Sequence, residues 1–258
     1  MGYAKYPKML NRDMSYLNKV AMLKVLSRSR DSFLSPRMMH FVVGFDINTF
    51  ETDRLCQRFK EAFESEVRRL NKPRKPENKR RKNSNAINKI EAKEKGTVYK
   101  KQHLLRERSI PNIELIYSVE AKIPKKNNTM KHLRKNLLVK PEVYYHIHIM
   151  LICDVGHNAY SHTEIKMCTN NALARIEGLQ SLSEVNNRYG FLKQRDKRTT
   201  VKAEGKFLSL YWHDLKLEYE DAVIRASYLC KLEQKSLLPE RYANNSFGHT
   251  RVRRQLKM

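Results

Sequence analysis

Two histidines separated by one apolar residue, His146 and His148, lie inside a short apolar run over residues 144–152. An extended strand sends alternate side chains to the same face, so the two imidazoles would emerge side by side. Neutral imidazole is a common ligand of divalent metal ions, and this pair could hold one ion. The alternative is two ordinary packed histidines of a strand, and the pair alone leaves both interpretations open.

A catalytic metal site usually needs a third ligand, and the preceding predicted strand supplies a carboxylate at Glu120. Apolar and polar residues alternate over 113–123, so Val119 and Ala121 point away from the polar face that carries Glu120. If this strand pairs with the histidine strand, the carboxylate lies close to the imidazoles. The alternative for Glu120 is a solvated strand residue.

Three further side chains could act on a phosphate group: Tyr228, Lys231 and Lys235. The segment from about 218 to 236 is predicted as the last long helix, in which positions i, i+3 and i+7 lie on one face. Ammonium groups favour the phenolate form of a neighbouring tyrosine and attract a phosphate, so this set could supply a nucleophile. The alternative is a half-buried aromatic side chain beside ordinary surface lysines.

The charge of the chain indicates the substrate class for such chemistry. The sequence contains 52 Lys and Arg against 27 Asp and Glu, a formal net charge of +25. This excess attracts polyanions, and nucleic acid is favoured because each phosphate that Lys or Arg neutralises releases condensed counterions. A basic protein of ribosomal type, or one that adheres to polyanions in general, is the alternative.

Other sequence features exclude several classes of protein. Four cysteines are scattered without a Cys-x-x-Cys pair, which argues against a zinc ribbon or a disulfide framework and for a reducing compartment. No apolar run approaches the length that crosses a bilayer, so we expect a soluble, cytoplasmic protein without a membrane partner. The sequence lacks a glycine-rich phosphate loop ending in lysine, so a fused helicase is not expected.

The hydrophobic pattern predicts an α+β fold. The predicted elements are a helix over 14–29, a strand over 39–47, a helix from an N-cap at Asn48 with Glu51 to about Leu70, strands over 113–123 and 144–152, a helix over 161–176 that opens with a Ser161–Glu164 capping box, a strand over 207–212 and a helix over 218–236. Without the first and last helices, this order is that of a ferredoxin-like central antiparallel sheet, with the histidine strand beside the glutamate strand.

Two strongly basic segments, about 71–96 and 124–140, have little to bury and are predicted as loop insertions. The first is either a solvated charge run or an arm that grips DNA, and these interpretations are compatible. The carboxyl-terminal tail is likewise either a DNA contact or a solvated extension.

The His-Ile-His strand, Glu120 on the strand before it and Tyr228 on a later lysine-bearing helix resemble the HUH endonucleases of rolling-circle replication initiators. More narrowly, the string from Arg225 to Lys235, followed by residues 245–251, resembles the prophage and inovirus replication proteins of YagK/YfjJ type. The resemblance covers roughly residues 38–251. It divides the chain into a helical extension over 1–37, an HUH-like catalytic domain over 38–236 and a basic tail over 237–258.

The resemblance implies a nickase and ligase of single-stranded DNA at a replication origin of a phage, prophage or plasmid. Glu120, His146 and His148 would hold Mg²⁺ or Mn²⁺, and Tyr228 would form a 5′-phosphotyrosyl link while Lys231 or Lys235 assists. A host helicase and polymerase would complete replication.

The lysine positions depart from the family pattern, because many initiators place the lysine four residues after the tyrosine, where this chain has Leu232. Which of the two lysines acts therefore stays open. Two other functions also stay open: a non-catalytic DNA- or RNA-binding regulator on a ferredoxin-like sheet, and a single-tyrosine HUH transposase.

Overall fold

The structure is a computed structural model that describes residues 13–106, 108–122, 143–156, 160–180, 190–192, 202–203, 206–207, 211–232, 235–243 and 245–251. The helices are α1 (Tyr16–Ser32), α2 (Leu55–Asn71), α3 (Arg74–Glu94), α4 (His162–Leu173), α5 (Tyr219–Ser227) and α6 (Glu240–Ala243), and a 3₁₀ turn spans Tyr228–Cys230. The strands are β1 (Pro36–Gly44), β2 (Ile113–Lys122), β3 (Tyr144–Asp154), β4 (Gly190–Phe191), β5 (Lys202–Ala203), β6 (Lys206–Phe207), β7 (Trp212–Asp214) and β8 (Phe247–His249).

The centre of the protein is a six-stranded antiparallel sheet in the order β4-β1-β3-β2-β8, with β7 also paired to β1. Strands β5 and β6 form a separate pair. The units β1-α2-β2 and β3-α4-β4 interleave, because β3 lies between β1 and β2. The predicted α+β class and the antiparallel pairing of the glutamate and histidine strands are confirmed.

The sheet is covered on both faces, which explains the nearly continuous apolar runs of its central strands. The odd-numbered residues of β1, β2 and β3, such as Phe41, Val119 and Ile147, pack with residues of α2 and α4. Among the even-numbered residues, Met38, Ile116 and others pack with residues of α1 and α5. The strand period of two therefore puts Glu120, His146 and His148 on the face that α1 and α5 cover.

Helices α2 and α4 lie side by side on the odd-numbered face and are joined by a buried carboxylate. Glu66 of α2 forms ion pairs with Arg175, just after α4, and with Arg69 at 2.7 Å. Asn171 of α4 donates a hydrogen bond of 3.1 Å to the same carboxylate. Burial raises the pKa of Glu66, but the hydrogen bonds and the two guanidinium charges outweigh burial and hold the pKa below its ordinary value.

The N-terminal ends of α4 and α2 can be compared with the predicted N-caps. The Ser161–Glu164 capping box at α4 is confirmed, with both reciprocal hydrogen bonds present. The predicted N-cap at Asn48 is wrong, because α2 begins at Leu55 after Arg54, whose φ of 48° is left-handed. Asp46 instead closes a turn by accepting hydrogen bonds from the backbone N–H of Asn48 and the hydroxyl of Thr49.

The prediction of a loop over 71–96 is wrong, because α3 occupies most of this segment. Its residues are mainly Lys, Arg, Glu, Ala and Asn, and its only proline, Pro76, lies in the first turn, where it breaks no helical hydrogen bond. The second predicted basic loop, 124–140, and the tail residues 252–258 lie outside the described residues.

The prediction of one helix over 218–236 is wrong in its second half. Helix α5 ends at Ser227, and the 3₁₀ turn carries the chain to Lys231, which forms an isolated bridge with Met14. The backbone N–H of Ser15 donates to the carbonyl of Cys230, at 2.9 Å, so the segment before α1 supplies the partner that ends the helix. Tyr228, Lys231 and Lys235 therefore do not share the face of one helix.

No helix within the described segments is both long and apolar enough to cross a membrane.

Candidate functional site

The strand register brings the predicted metal ligands together. Glu120 of β2 lies directly opposite His146 of β3, and His148 follows on the same face, opposite Ser118 of β2 and Val42 of β1. Glu120, His146 and His148 are all buried, at 0, 5 and 7 % exposure. Because β3 pairs with β1 on one side and β2 on the other, these side chains project from a rigid surface.

The three side chains converge on one carboxylate oxygen. The Oε2 atom of Glu120 lies 3.5 Å from Nε2 of His146 and 3.4 Å from Nε2 of His148. One ligand atom from each residue falls within 4.8 Å of the others. This buried group could hold a metal ion.

Lys231 completes the polar cluster from the layer that covers the even-numbered face of the sheet. Its side chain is 1 % exposed, and its Nζ lies 2.9 Å from Oε2 of Glu120. The same Nζ donates a hydrogen bond of 2.5 Å to the hydroxyl of Tyr228. A single ammonium group therefore connects the carboxylate of the sheet to the phenol of the helical layer.

Tyr228 lies at the junction of α5 and the 3₁₀ turn and is half-buried. Its ring contacts the His148 ring edge-on, with centroids 4.9 Å apart, and the Lys231 ammonium lies 3.8 Å from its centroid. The phenol thus stands next to the histidine pair and carries a cationic donor on its oxygen.

Two residues that the sequence did not single out support His148 from behind. His40 of β1 contacts it through Nε2 to Nδ1 at 3.0 Å, and Arg225 of α5 donates from Nε to Nδ1 of His40 at 3.0 Å. The available signal was a polar residue at even spacing between Met38 and Val42 in an apolar run. Neither its neighbour in space nor Arg225 could be identified from that spacing.

The direction of these hydrogen bonds fixes the protons on the imidazoles. A guanidinium only donates, so Nδ1 of His40 accepts and its Nε2–H donates to Nδ1 of His148. The proton of a neutral His148 then resides on Nε2, which faces Glu120. Metal ligation through Nε2 therefore requires the proton to leave that nitrogen. This disrupts the chain of hydrogen bonds that runs from Arg225 through His40 to His148.

Burial dominates the ionisation of this region. It lowers the pKa of His148, with the Glu120 carboxylate opposing, and lowers the pKa of His40 further, because His148 and Arg225 add to the effect. Burial would raise the pKa of Glu120, but hydrogen bonds from His146 and His148 and the charge of Lys231 hold it well below its ordinary value. The carboxylate is thus ionised beside the Lys231 ammonium.

The donor set fits a divalent metal ion. Two imidazole nitrogens and one carboxylate are a recurrent facial ligand set for divalent metal ions. The Glu120 carboxylate lies 3.4 and 3.5 Å from the two histidine Nε2 atoms, so the three side chains approach one point. Oε1 of Glu120 and Nδ1 of His146 have no hydrogen-bond partner within the described part of the chain, which leaves them available to an ion and a second shell.

Lys235 and Tyr219 make their contacts outside this cluster, although the charge of Glu120 still reaches Lys235 and opposes the effect of burial on its pKa. The Nζ of Lys235 donates to the hydroxyl of Ser246 at 3.1 Å, and burial lowers the pKa of Lys235. Tyr219, the first residue of α5, is buried in the α1–α5 layer with the Arg30 guanidinium 4.2 Å from its ring centroid. Of the two predicted lysines, Lys231 is the one that contacts both Tyr228 and Glu120.

Comparisons of the chain with models of protein families, with curated proteins and with solved structures found no match.

Proposed function

We propose that the protein is a metal-dependent endonuclease and strand transferase that nicks and rejoins single-stranded DNA through Tyr228. One observation carries the proposal: Lys231 joins the phenol of Tyr228 to the Glu120, His146 and His148 cluster. A phenol, an ammonium and a metal-type ligand set within contact of one another are the groups that a tyrosine attack on a phosphodiester needs.

The topology supports the same proposal. The strand order β4-β1-β3-β2 with two interleaved β-α-β units is the order of a ferredoxin-like sheet. The histidine strand lies in its centre with the glutamate strand beside it, as the resemblance to HUH endonucleases implies. The net charge of +25 supports a nucleic-acid substrate.

In the proposed reaction, Tyr228 loses its phenol proton to solvent, and the ammonium of Lys231 holds the resulting phenolate. The phenolate oxygen attacks the phosphorus, a Tyr228 oxygen–phosphorus bond forms, and the bond between phosphorus and the 3′ oxygen breaks. The leaving oxygen takes a proton from water and becomes the 3′-hydroxyl that primes synthesis. Attack by a 3′-hydroxyl reverses these steps and rejoins the strand, so no nucleotide cofactor is consumed.

Glu120, His146 and His148 would hold the ion, Mg²⁺ or Mn²⁺, which when bound supplies charge stabilisation to the phosphate oxygens. Two imidazole donors favour Mn²⁺ over Mg²⁺, because Mg²⁺ prefers an all-oxygen environment. We propose that the substrate is a replication origin of a phage, prophage or plasmid in the cytoplasm. A helicase and a polymerase of the host would unwind and copy the DNA.

The test is formation of a covalent adduct between the purified protein and labelled single-stranded origin DNA in the presence of Mn²⁺, detected on a denaturing gel. Wild type and Tyr16→Phe, a control at an exposed tyrosine, are expected to form the adduct. Tyr228→Phe and His148→Ala are expected to lose it. An adduct that survives Tyr228→Phe would overturn the assignment of the nucleophile.

A second function, nucleic-acid binding without cleavage, is favoured by the Glu120–Lys231 ion pair, which neutralises the buried carboxylate without any metal. The absence of an adduct in wild type, together with failure of Mn²⁺ to bind in calorimetry, would support this function instead.

A further inference from the structure

Helix α3 is a long helix without a core. It runs for 21 residues, a length of about 31 Å at 1.5 Å per residue, and none of its residues is buried. Most helices in proteins are stabilised by packing of an apolar face rather than by helix propensity. Its order must therefore have another source.

That source is a return segment, residues 97–106, which lies along one side of α3. Asn78 bonds both the N–H and the carbonyl of Leu105, and Asn85 does the same with Gln102. Arg81 donates to the carbonyl of His103 at 2.7 Å. These side chains recur along one face of the helix and hold the extended segment as a neighbouring strand would, so helix and segment form one basic arm.

A lysine stripe occupies an adjacent face of the arm. Positions 75, 79, 82, 89 and 93 fall within an arc of about 80° on a helix of 3.6 residues per turn. The stripe consists of Lys75, Lys79, Lys82, Lys89 and Lys93, all of them exposed. It spans 19 residues, with a rise of about 27 Å from the first to the last.

No acidic side chain shares this face. The three glutamates of α3, Glu77, Glu91 and Glu94, lie outside this arc by the same periodicity, at least about 60° from its nearest edge. Glu77 pairs with Arg80 and Arg81, and Glu91 pairs with Lys95. Within the described residues, the five lysines of the stripe form no ion pair, so no described acidic side chain neutralises their charges.

We propose that the lysine stripe binds the phosphate backbone of duplex DNA without reading its sequence. A straight row of ammonium groups complements the regular charge of a duplex, and its binding releases counterions. A single strand is less suited, because single-strand surfaces combine positive charge with aromatic platforms, and the stripe face carries Ala86 between its lysines and no aromatic residue.

The stripe is separate from the polar cluster. Helix α3 follows α2, which packs on the odd-numbered face of the sheet, whereas Glu120, His146 and His148 project from the even-numbered face. Binding by the stripe would therefore hold a stretch of duplex apart from the DNA at Tyr228. This inference does not rest on the proposed function, because duplex binding by the stripe needs only the charges of its lysines and no catalytic residue.

The test measures the salt dependence of affinity for a 20-base-pair duplex by fluorescence anisotropy in EDTA, which excludes metal-dependent cleavage. In the stripe variant, Lys79, Lys82 and Lys89 become Gln, and in the matched control the exposed residues Lys24, Lys60 and Lys216 become Gln. The two variants have equal net charge. Gln and Lys have similar helix propensities, so circular dichroism should show intact helices.

A plot of log affinity against log salt concentration has a negative slope. We expect this slope to be shallower by about 2.7 in the stripe variant, because each of the three phosphate contacts removed contributes about 0.9 to its magnitude. The control should change the slope by less than about 1, and a variant with Arg at the three stripe positions should keep the wild-type slope. Equal losses in stripe and control variants would overturn the proposal, since net charge alone would then explain binding. A larger loss for a single strand than for the duplex, or retention of duplex binding with loss of binding to an acidic protein, would overturn it as well.

Discussion

Replacing Lys231 with Met should destabilise the protein strongly, because it removes the cation from a buried ion pair. The side chains of Lys231 and Glu120 are 1 and 0 % exposed, and their charged atoms lie 2.9 Å apart. Met has a similar length and volume, so the substitution leaves only a small cavity and the lost charge dominates. Breaking a buried pair in this way costs about 3–5 kcal/mol.

The double substitution Glu120→Gln with Lys231→Met separates the charge effect from packing. It removes both charges, so no uncompensated carboxylate stays buried. We expect the double variant to be more stable than Lys231→Met by about 2 kcal/mol or more, a coupling that independent sites would not show. Lys235→Met is the matched control, because that ammonium contacts the hydroxyl of Ser246, and a single hydrogen bond contributes about 1 kcal/mol.

The measurement is urea unfolding at pH 7 in EDTA, monitored by circular dichroism. Differences in unfolding midpoint report stability when the variants have equal m-values. Addition of Mn²⁺ should restore part of the stability of Lys231→Met, because a bound cation replaces the missing charge; about 2.7 kcal/mol is expected at a hundredfold excess over Kd. A loss below about 1 kcal/mol for Lys231→Met, or a double variant no more stable than the single one, would refute this account of the pair.

Three further predictions follow from contacts outside that pair. Arg225→Met should raise Mn²⁺ affinity in calorimetry about tenfold, because His40 then no longer keeps the His148 proton on Nε2; a lower affinity would mean that Arg225 only supports the site. Glu66→Gln should lower the free energy of unfolding by about 2 kcal/mol at pH 7. Because the pKa of Glu66 is depressed in the folded state, this contribution is present above the unfolded pKa near 4.5 and is lost as the pH falls through the folded pKa. The stabilities of wild type and variant should therefore converge when unfolding is measured at acid pH. Asn85→Ala should accelerate tryptic cleavage after Lys101, since Gln102 loses both hydrogen bonds that hold the return segment, and an unchanged digestion pattern by mass spectrometry would contradict this.

The sheet and the cluster of metal-type ligands could be predicted because both depend on a local periodicity. Alternation over β2 and β3 determines which side chains face each way, and antiparallel pairing of consecutive strands then brings Glu120 opposite His146. The Ser161 capping box is equally local, since both partners lie within four residues.

The errors occurred where distant segments decide the local structure. Helix α3 has no apolar stripe, and its order depends on amide side chains such as Asn78 that bond a segment 27 residues further along the chain. The last helix ends where residues 13–15 pair with Cys230 and Leu232, a contact that no window of sequence can contain. The support of His148 by His40 and Arg225 likewise joins three separate elements.

The pairing of residues 13–15 with residues 230–232 also constrains biosynthesis. The two paired segments are more than 200 residues apart in sequence, so their contact closes a very long loop. The contact cannot form until the second segment has been synthesised. Strands β1 to β3 and their histidines are synthesised well before Lys231. A nascent chain therefore carries Glu120, His146 and His148 without their ammonium partner until Lys231 has been made.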